Sequence, residues 1–156
     1  MLKKITLVLI ILLSISTNIL AKEYKYVQIF DPKQDKVVKL IQLNSEIQSL
    51  VVSYLEDIDA IYAKNDPIPE DGYAIKIPLD PAIKAQKKCL NALIKEIYII
   101  IPEKEPPFIM LFEKENKLLC FPFKGDIKTL SKALSFTLRQ HSYHSSIRNI
   151  KTTLHV

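Results

Sequence analysis

Glycine is scarce in this chain, and tryptophan is missing altogether. The 156 residues include two glycines, Gly72 and Gly125, and two cysteines, while 48% of the residues are hydrophobic. Glycine-rich phosphate-binding loops need several glycines close together, so that class of nucleotide site is excluded. Two cysteines are too few for a small disulfide framework, and the apolar fraction is too high for a disordered chain. The length suits one domain with a core of its own.

The beginning of the chain has the layout of a secretory signal peptide. Lys3 and Lys4 give a positive start, and an uncharged apolar run extends from Ile5 to Leu13. Polar residues then precede the small residue Ala21, where we expect cleavage. The alternative is an uncleaved membrane anchor, although a spanning helix needs about 20 apolar residues and this run is shorter. In both cases the sequence predicts a secreted or extracytoplasmic location for the rest.

Three parts follow from this pattern: a signal peptide over 1–21, an exported domain over 22–138, and a loosely ordered tail over 139–156. Alternating and β-branched runs between turn segments predict strands in the domain. The predicted strands are Tyr24–Phe30, Lys36–Leu43, Tyr73–Ile77, Ile97–Ile101, Pro107–Phe112 and Lys117–Phe121.

Helical periodicity and capping residues predict three helices. The first runs from about Ser45 to Ala63, the second starts at Asp80-Pro81 and continues to Ile94, and the third starts at Asp126. Strands that follow one another in sequence tend to pair antiparallel. The expected fold class is therefore α+β, with a single mainly antiparallel β-sheet covered on one face by two or three helices.

Cys89 and Cys120 form the candidate disulfide, because export would permit oxidation. A bridge between them would close a loop of about thirty residues and stabilise the fold by roughly 3–4 kcal/mol. The alternative is two reduced thiols that pack as small apolar groups. A catalytic thiol would need an adjacent base, and all three histidines lie in the tail.

Metal and cofactor sites are not indicated. His141 and His144 could share a helix face, but a zinc site needs three or four protein ligands, and His155 adds little. We expect a solvated tail, no metal and no cofactor.

One cluster of acids suggests an alternative enzymatic role. Paired carboxylates serve in hydrolysis only where the environment raises the pKa of one of them, so this role requires a carboxyl group in a cleft with an apolar wall. An exposed acidic surface is the simpler interpretation. The acids concerned are Glu56, Asp57, Asp59, Glu70 and Asp71.

The positive charge is spread along the chain as lysine. Arg139 and Arg148 are the only arginines, and nucleic-acid readers depend on clustered arginines, so no nucleic-acid partner is expected. Lys84, Lys87 and Lys88 would share a face of the predicted second helix. That face could contact an anionic membrane surface weakly, since each lysine contributes only about 1 kcal/mol.

The remaining hypothesis is a non-catalytic module that binds a protein or peptide by strand pairing. An edge strand offers unpaired N–H and C=O groups that an extended chain can continue. The predicted edges are the first strand, with Tyr24, Tyr26 and Val27, and the last strand, with Leu119 and Phe121. Pro122 supports the second assignment, because proline cannot donate to a ladder.

Overall fold

The structure is a computed structural model that describes residues 24–64, 67–113 and 117–139. The predicted signal peptide, the three histidines and Arg148 lie outside the described residues. The strands are β1 (Tyr26–Asp31), β2 (Lys36–Gln42), β3 (Tyr73–Lys87), β4 (Leu90–Ile101), β5 (Phe108–Phe112) and β6 (Leu118–Pro122). The helices are α1 (Ser45–Glu56) and α2 (Ile127–Ala133), and a 3₁₀ turn (Pro32–Gln34) joins β1 to β2.

All six strands form one antiparallel sheet in the order β2-β1-β3-β4-β5-β6. Together with the two helices, this confirms the predicted α+β class and the single antiparallel sheet. Alternate strand residues such as Val27, Ile75, Ile99 and Phe121 share one buried cluster with the apolar side chains of α1 and α2. That cluster is the main core. Among the described residues, no helix is long and apolar enough to cross a membrane.

The predicted second helix is wrong, because its residues belong to a long β-hairpin. A bulge between Pro78 and Ile83 interrupts the pairing of β3 with β4, and the cis Asp80-Pro81 peptide bond lies within it. The two strands pair again after the bulge. The pairing continues to Lys87↔Leu90. The hairpin turn, Lys88-Cys89, contains none of the glycine or asparagine that marks tight turns, so nothing local distinguished it from a helix.

Both helices start where their capping residues predict, and α1 ends earlier than expected. Asn44 accepts a hydrogen bond from Ile47 N–H at 2.9 Å, and Asp126 accepts one from Thr129 N–H at 2.9 Å. α1 ends at Glu56 instead of continuing to Ala63, and α2 ends at Ala133, although Leu134 and Leu138 beyond it are buried. Both leucines therefore pack into the main core from the irregular segment that follows α2.

A segment after α1, residues 58–64, crosses the β6 edge of the sheet. Ile58 lies in the main core, whereas the Tyr62 ring lies 6.1 Å from the ring of Phe108 in a second cluster. Lys64 places its ammonium group 4.7 Å from the Phe108 ring centroid. The segment therefore covers part of the sheet face opposite the main core. We call this segment the crossing segment.

Candidate binding edge at strand β2

The predicted edge at the first strand is wrong. β1 lies between β2 and β3, and Val27 is fully buried opposite Ile41 of β2. Tyr24 precedes the strand, and Tyr26 lies on the strand's exposed face. A proline at Val27 would interrupt an internal ladder, so it could not test partner binding. Sequence alternation defined the two faces of β1 correctly but carried no information on which strands lie beside it.

The second predicted edge is an edge, but its predicted contact residues are not available. β6 ends the strand order, in agreement with the position of Pro122. However, Leu119 and Phe121 point into the main core and are 7% and 0% exposed. The outward carbonyl of Cys120 already accepts a hydrogen bond from Tyr62 N–H at 2.7 Å. The crossing segment thus occupies part of this edge.

β2 is the edge at the other end of the sheet, and it is largely open. Leu40 is 60% exposed and Val37 is 44% exposed. The register places Leu40 opposite Gln28 and Val37 opposite Phe30, so both lie on the same face as the 46% exposed Tyr26. We call Tyr26, Val37 and Leu40 the β2 patch.

Within the described part of the chain, the backbone of β2 presents unpaired groups at Leu40 and Gln42. The Leu43 N–H donates to the Lys25 carbonyl at 2.8 Å, which makes these two residues a hydrogen-bonded pair. Hydrogen-bonded and non-hydrogen-bonded pairs alternate along an antiparallel ladder. In the β1–β2 register, the N–H and C=O groups of Leu40 and Gln42 therefore project away from β1. An added strand could bond to them.

Lysines line the same edge. Lys33 follows β1 in the 3₁₀ turn, and Lys36 and Lys39 lie on β2; all three are exposed. Asp35 is the acid between them. No carboxylate of the described residues is in salt-bridge contact with any of the three. Lysine at every third position was a sequence signal for this edge, since natural proteins place lysine on open edge strands.

A cavity of about 520 Å³ lies at the Lys36 end of β2. Arg139, the first residue of the predicted tail, donates from Nε and Nη2 to the Tyr73 hydroxyl at 3.3 and 3.2 Å. This bond orients the guanidinium group in the cavity wall beside Lys36 and Val37. Asp31 also lines the cavity, and it accepts hydrogen bonds from the Gln34 backbone N–H at 3.2 Å and side-chain Nε2 at 2.6 Å.

The charges around this cavity favour an anion. The hydrogen bond from the Gln34 side chain lowers the pKa of Asp31, and bonding to Tyr73 raises the pKa of Arg139. Asp31 is only 6% exposed, although it lies close to the protein surface. Two cations, Lys36 and Arg139, and one carboxylate, Asp31, line the cavity. The negative charge of Glu103, which is not among the lining residues, also raises the pKa of Arg139. No sequence pattern indicates that Arg139 lies beside β2.

The acidic cluster does not assemble into a hydrolytic site. Asp59 pairs with Lys124 at 2.5 Å, and that hydrogen bond lowers the pKa of Asp59, opposite to what a general acid needs. Asp71 lies 3.8 Å from Lys104. The other three acids are exposed. Within the described ranges, no group of three or more His, Cys, Asp or Glu side chains could hold a metal ion.

The three lysines of the predicted second helix do not form one face. Lys84 and Lys87 lie on β3, and their separation puts them on opposite faces of the strand, while Lys88 is in the turn. Lys87 also donates to the Glu56 carbonyl at 2.6 Å. Because the helix is absent, the argument for an anionic-surface contact through these residues is lost.

Cys89 and Cys120 are both free thiols. Cys89 packs against the main core, whereas Cys120 belongs to the second cluster on the other face of the sheet. A disulfide needs the two Cβ atoms about 4 Å apart, and the sheet separates these side chains. Burial raises the pKa of the Cys120 thiol, with a smaller opposing effect from Lys64.

No family model matches this chain, and searches of the curated proteins and of the solved structures also found no match.

Proposed function

We propose that this chain is an exported, non-catalytic binding domain that takes an extended acidic peptide segment onto the β2 edge. The observation that carries the proposal is the combination on one strand of outward backbone groups at Leu40 and Gln42 with an exposed apolar side chain at Leu40. Main-chain hydrogen bonds would give affinity, and alternate side chains would meet the β2 patch.

The lysines define the chemistry of the partner. Lys33, Lys36 and Lys39 are unpaired by the described residues, so acids on an added strand would find complementary charge. The same lysines oppose edge-to-edge pairing between two copies of this chain, because like charges would face each other. An acidic partner therefore fits this edge better than a second copy. Export of the domain is inferred only from the signal-peptide pattern at residues 1–21.

The binding experiment uses a short N-acetylated peptide of alternating glutamate and valine that spans the 7 residues of β2. A labelled peptide of this kind should bind the processed protein, and a peptide with lysine in place of glutamate should not. Fluorescence anisotropy at low and high salt measures both. Affinity should fall as salt rises, because the charges are exposed.

Leu40→Pro tests the strand pairing. It removes an N–H that points away from β1, so the β1–β2 ladder should survive while binding falls by about tenfold or more. Leu40→Thr keeps the N–H and should bind better than Leu40→Pro. Far-UV circular dichroism checks that both variants are folded.

The charge test reverses two lysines. Lys36→Glu with Lys39→Glu should abolish binding of the acidic peptide and favour the lysine peptide. Lys84→Glu with Lys88→Glu is the matched control, since it changes the net charge equally and away from β2. Equal losses in the two double variants would reject the β2 site. Concentration-dependent self-association that the peptide disrupts would assign the edge to a second copy, and would overturn the proposal.

A further inference from the structure

We infer that the cavity at the Lys36 end of β2 binds the C-terminal carboxylate of the added strand, with Arg139 as its main ligand. This inference rests on the strand addition proposed above and specifies the direction of the strand and the end that is recognised. Arg139 and Lys36 lie together in the cavity wall, and Lys36 is the last pairing position of the edge.

Strand direction follows from the position of these cations. Every strand pair in the sheet is antiparallel. A strand added antiparallel to β2 runs toward Lys36, so its C-terminal end meets the cavity. A parallel strand would bring its N-terminal end to Arg139 and Lys36, and that end has no carboxylate for the two cations to bind.

The guanidinium group is held in a geometry that suits a carboxylate. Nε and Nη2 donate to the Tyr73 hydroxyl, and Tyr73 itself is fixed by an edge-on contact with Phe136, 5.3 Å between ring centroids. The other N–H groups of Arg139 have no bonded partner among the described residues. Arginine binds carboxylates through two parallel N–H groups, and such charged bonds are about twice as strong as neutral ones.

Asp31 is the acid among the described residues that line the cavity, and Glu103 outside the lining also attracts Arg139. The Asp31 carboxylate is already bonded twice by Gln34, and no salt bridge between Asp31 and Arg139 forms in the described part of the chain. The residues that line the cavity therefore carry a net positive charge, two cations against one carboxylate. The position of the cavity near the surface leaves room for a chain end to enter beside Val37.

The test compares two forms of the acidic peptide, one with a free C-terminal carboxylate and one with a C-terminal amide. The free form should bind the processed protein about tenfold more tightly, the factor expected for one charged hydrogen-bonded contact. Arg139→Gln should weaken the free form by the same factor and leave the amide unchanged. The losses of affinity caused by the C-terminal amide and by Arg139→Gln should therefore not add when the two changes are combined.

Further variants separate a ligand from a structural residue. Arg139→Lys keeps the positive charge but lacks the two parallel N–H groups, so it should recover only part of the preference for the carboxylate. Tyr73→Phe removes the bond that orients the guanidinium group, and should reduce the preference while far-UV circular dichroism stays unchanged. Lys132→Gln, an exposed charge on α2, is the control for net charge and should have no effect.

The outcomes distinguish this inference from the proposed function. If the peptide binds and Leu40→Pro prevents binding, but amide and carboxylate bind equally, the strand addition stands and the carboxylate site is rejected. A peptide amide that ends in aspartate gives a further comparison. If it binds as tightly as the free acid and its binding still depends on Arg139, the group that Arg139 recognises is a side-chain carboxylate and not the C-terminal carboxylate. If neither form binds, the proposed function itself is overturned.

Discussion

Replacing Tyr54 with phenylalanine should stabilise the fold. Tyr54 lies on α1, is 6% exposed, and packs edge-on against Phe123 at 4.9 Å between ring centroids. Its hydroxyl is buried and has no hydrogen-bond partner among the described residues. Phenylalanine keeps the ring contact and removes the unpaired hydroxyl, so the change isolates one polar group.

The expected gain at neutral pH is about 1 kcal/mol in the free energy of unfolding. A buried polar group without a partner costs roughly 1–3 kcal/mol. We take the lower end of this range.

The difference should grow in alkaline solution. Burial, and to a smaller extent the charge of Asp126, raises the pKa of Tyr54 from 10.0 to about 12. A group whose pKa is raised on folding contributes stability below its unfolded pKa and loses that contribution as the pH rises through its folded pKa. The wild-type chain should therefore lose stability between pH 10 and about 12 in a way that the variant does not. After halving for solvent screening, the difference at pH 11 should increase by roughly 0.7 kcal/mol.

Urea unfolding followed by far-UV circular dichroism measures this effect in both proteins at pH 7 and at alkaline pH. Linear extrapolation gives each free energy, and equal slopes show that both proteins expose the same surface. A variant that is less stable than wild type by more than about 1 kcal/mol at pH 7 would show that the hydroxyl has a partner in solution, a buried water included. That result would refute the reasoning.

Two further predictions concern the processed protein. N-terminal sequencing of material recovered from outside the cytoplasm should begin at Lys22, because the leader has the signal-peptide pattern; a chain that retains Met1 would contradict cleavage. Thiol labelling under native conditions should modify Cys89 in the turn first and Cys120 slowly, since Cys120 is buried with a raised pKa. Labelling of both cysteines at the same rate would contradict the burial of Cys120, and labelling of neither without reductant would contradict the two free thiols.

The β3–β4 hairpin shows where prediction from the sequence fails. Ile83, Ala85, Ala92 and Ile94 alternate in the two strands, but the residues between them also fit a helical period. Only pairing between distant residues chooses between these patterns, and pairing energy is a property of the folded sheet. The loss of the helix removed one candidate surface, the lysine face, from consideration.

Local chemistry, by contrast, was sufficient to locate the helix starts and one sheet edge. Asn44 and Asp126 cap their helices because a side-chain oxygen satisfies N–H groups only one turn away. Pro122 ends β6 at the edge because its nitrogen carries no hydrogen. These features depend on neighbours in sequence, so the sequence alone specifies them.

The candidate site depends on distances that the sequence does not contain. Alternation places Val27 on a buried face, but the order of strands decides that β2, and not β1, is open. Likewise, Arg139 lines the same cavity as Lys36 because Tyr73 begins the strand beyond β1 and binds the guanidinium group there. Sequence patterns encode the direction of each side chain relative to its own strand. Which strands become neighbours is decided by the packing of the whole sheet around one core.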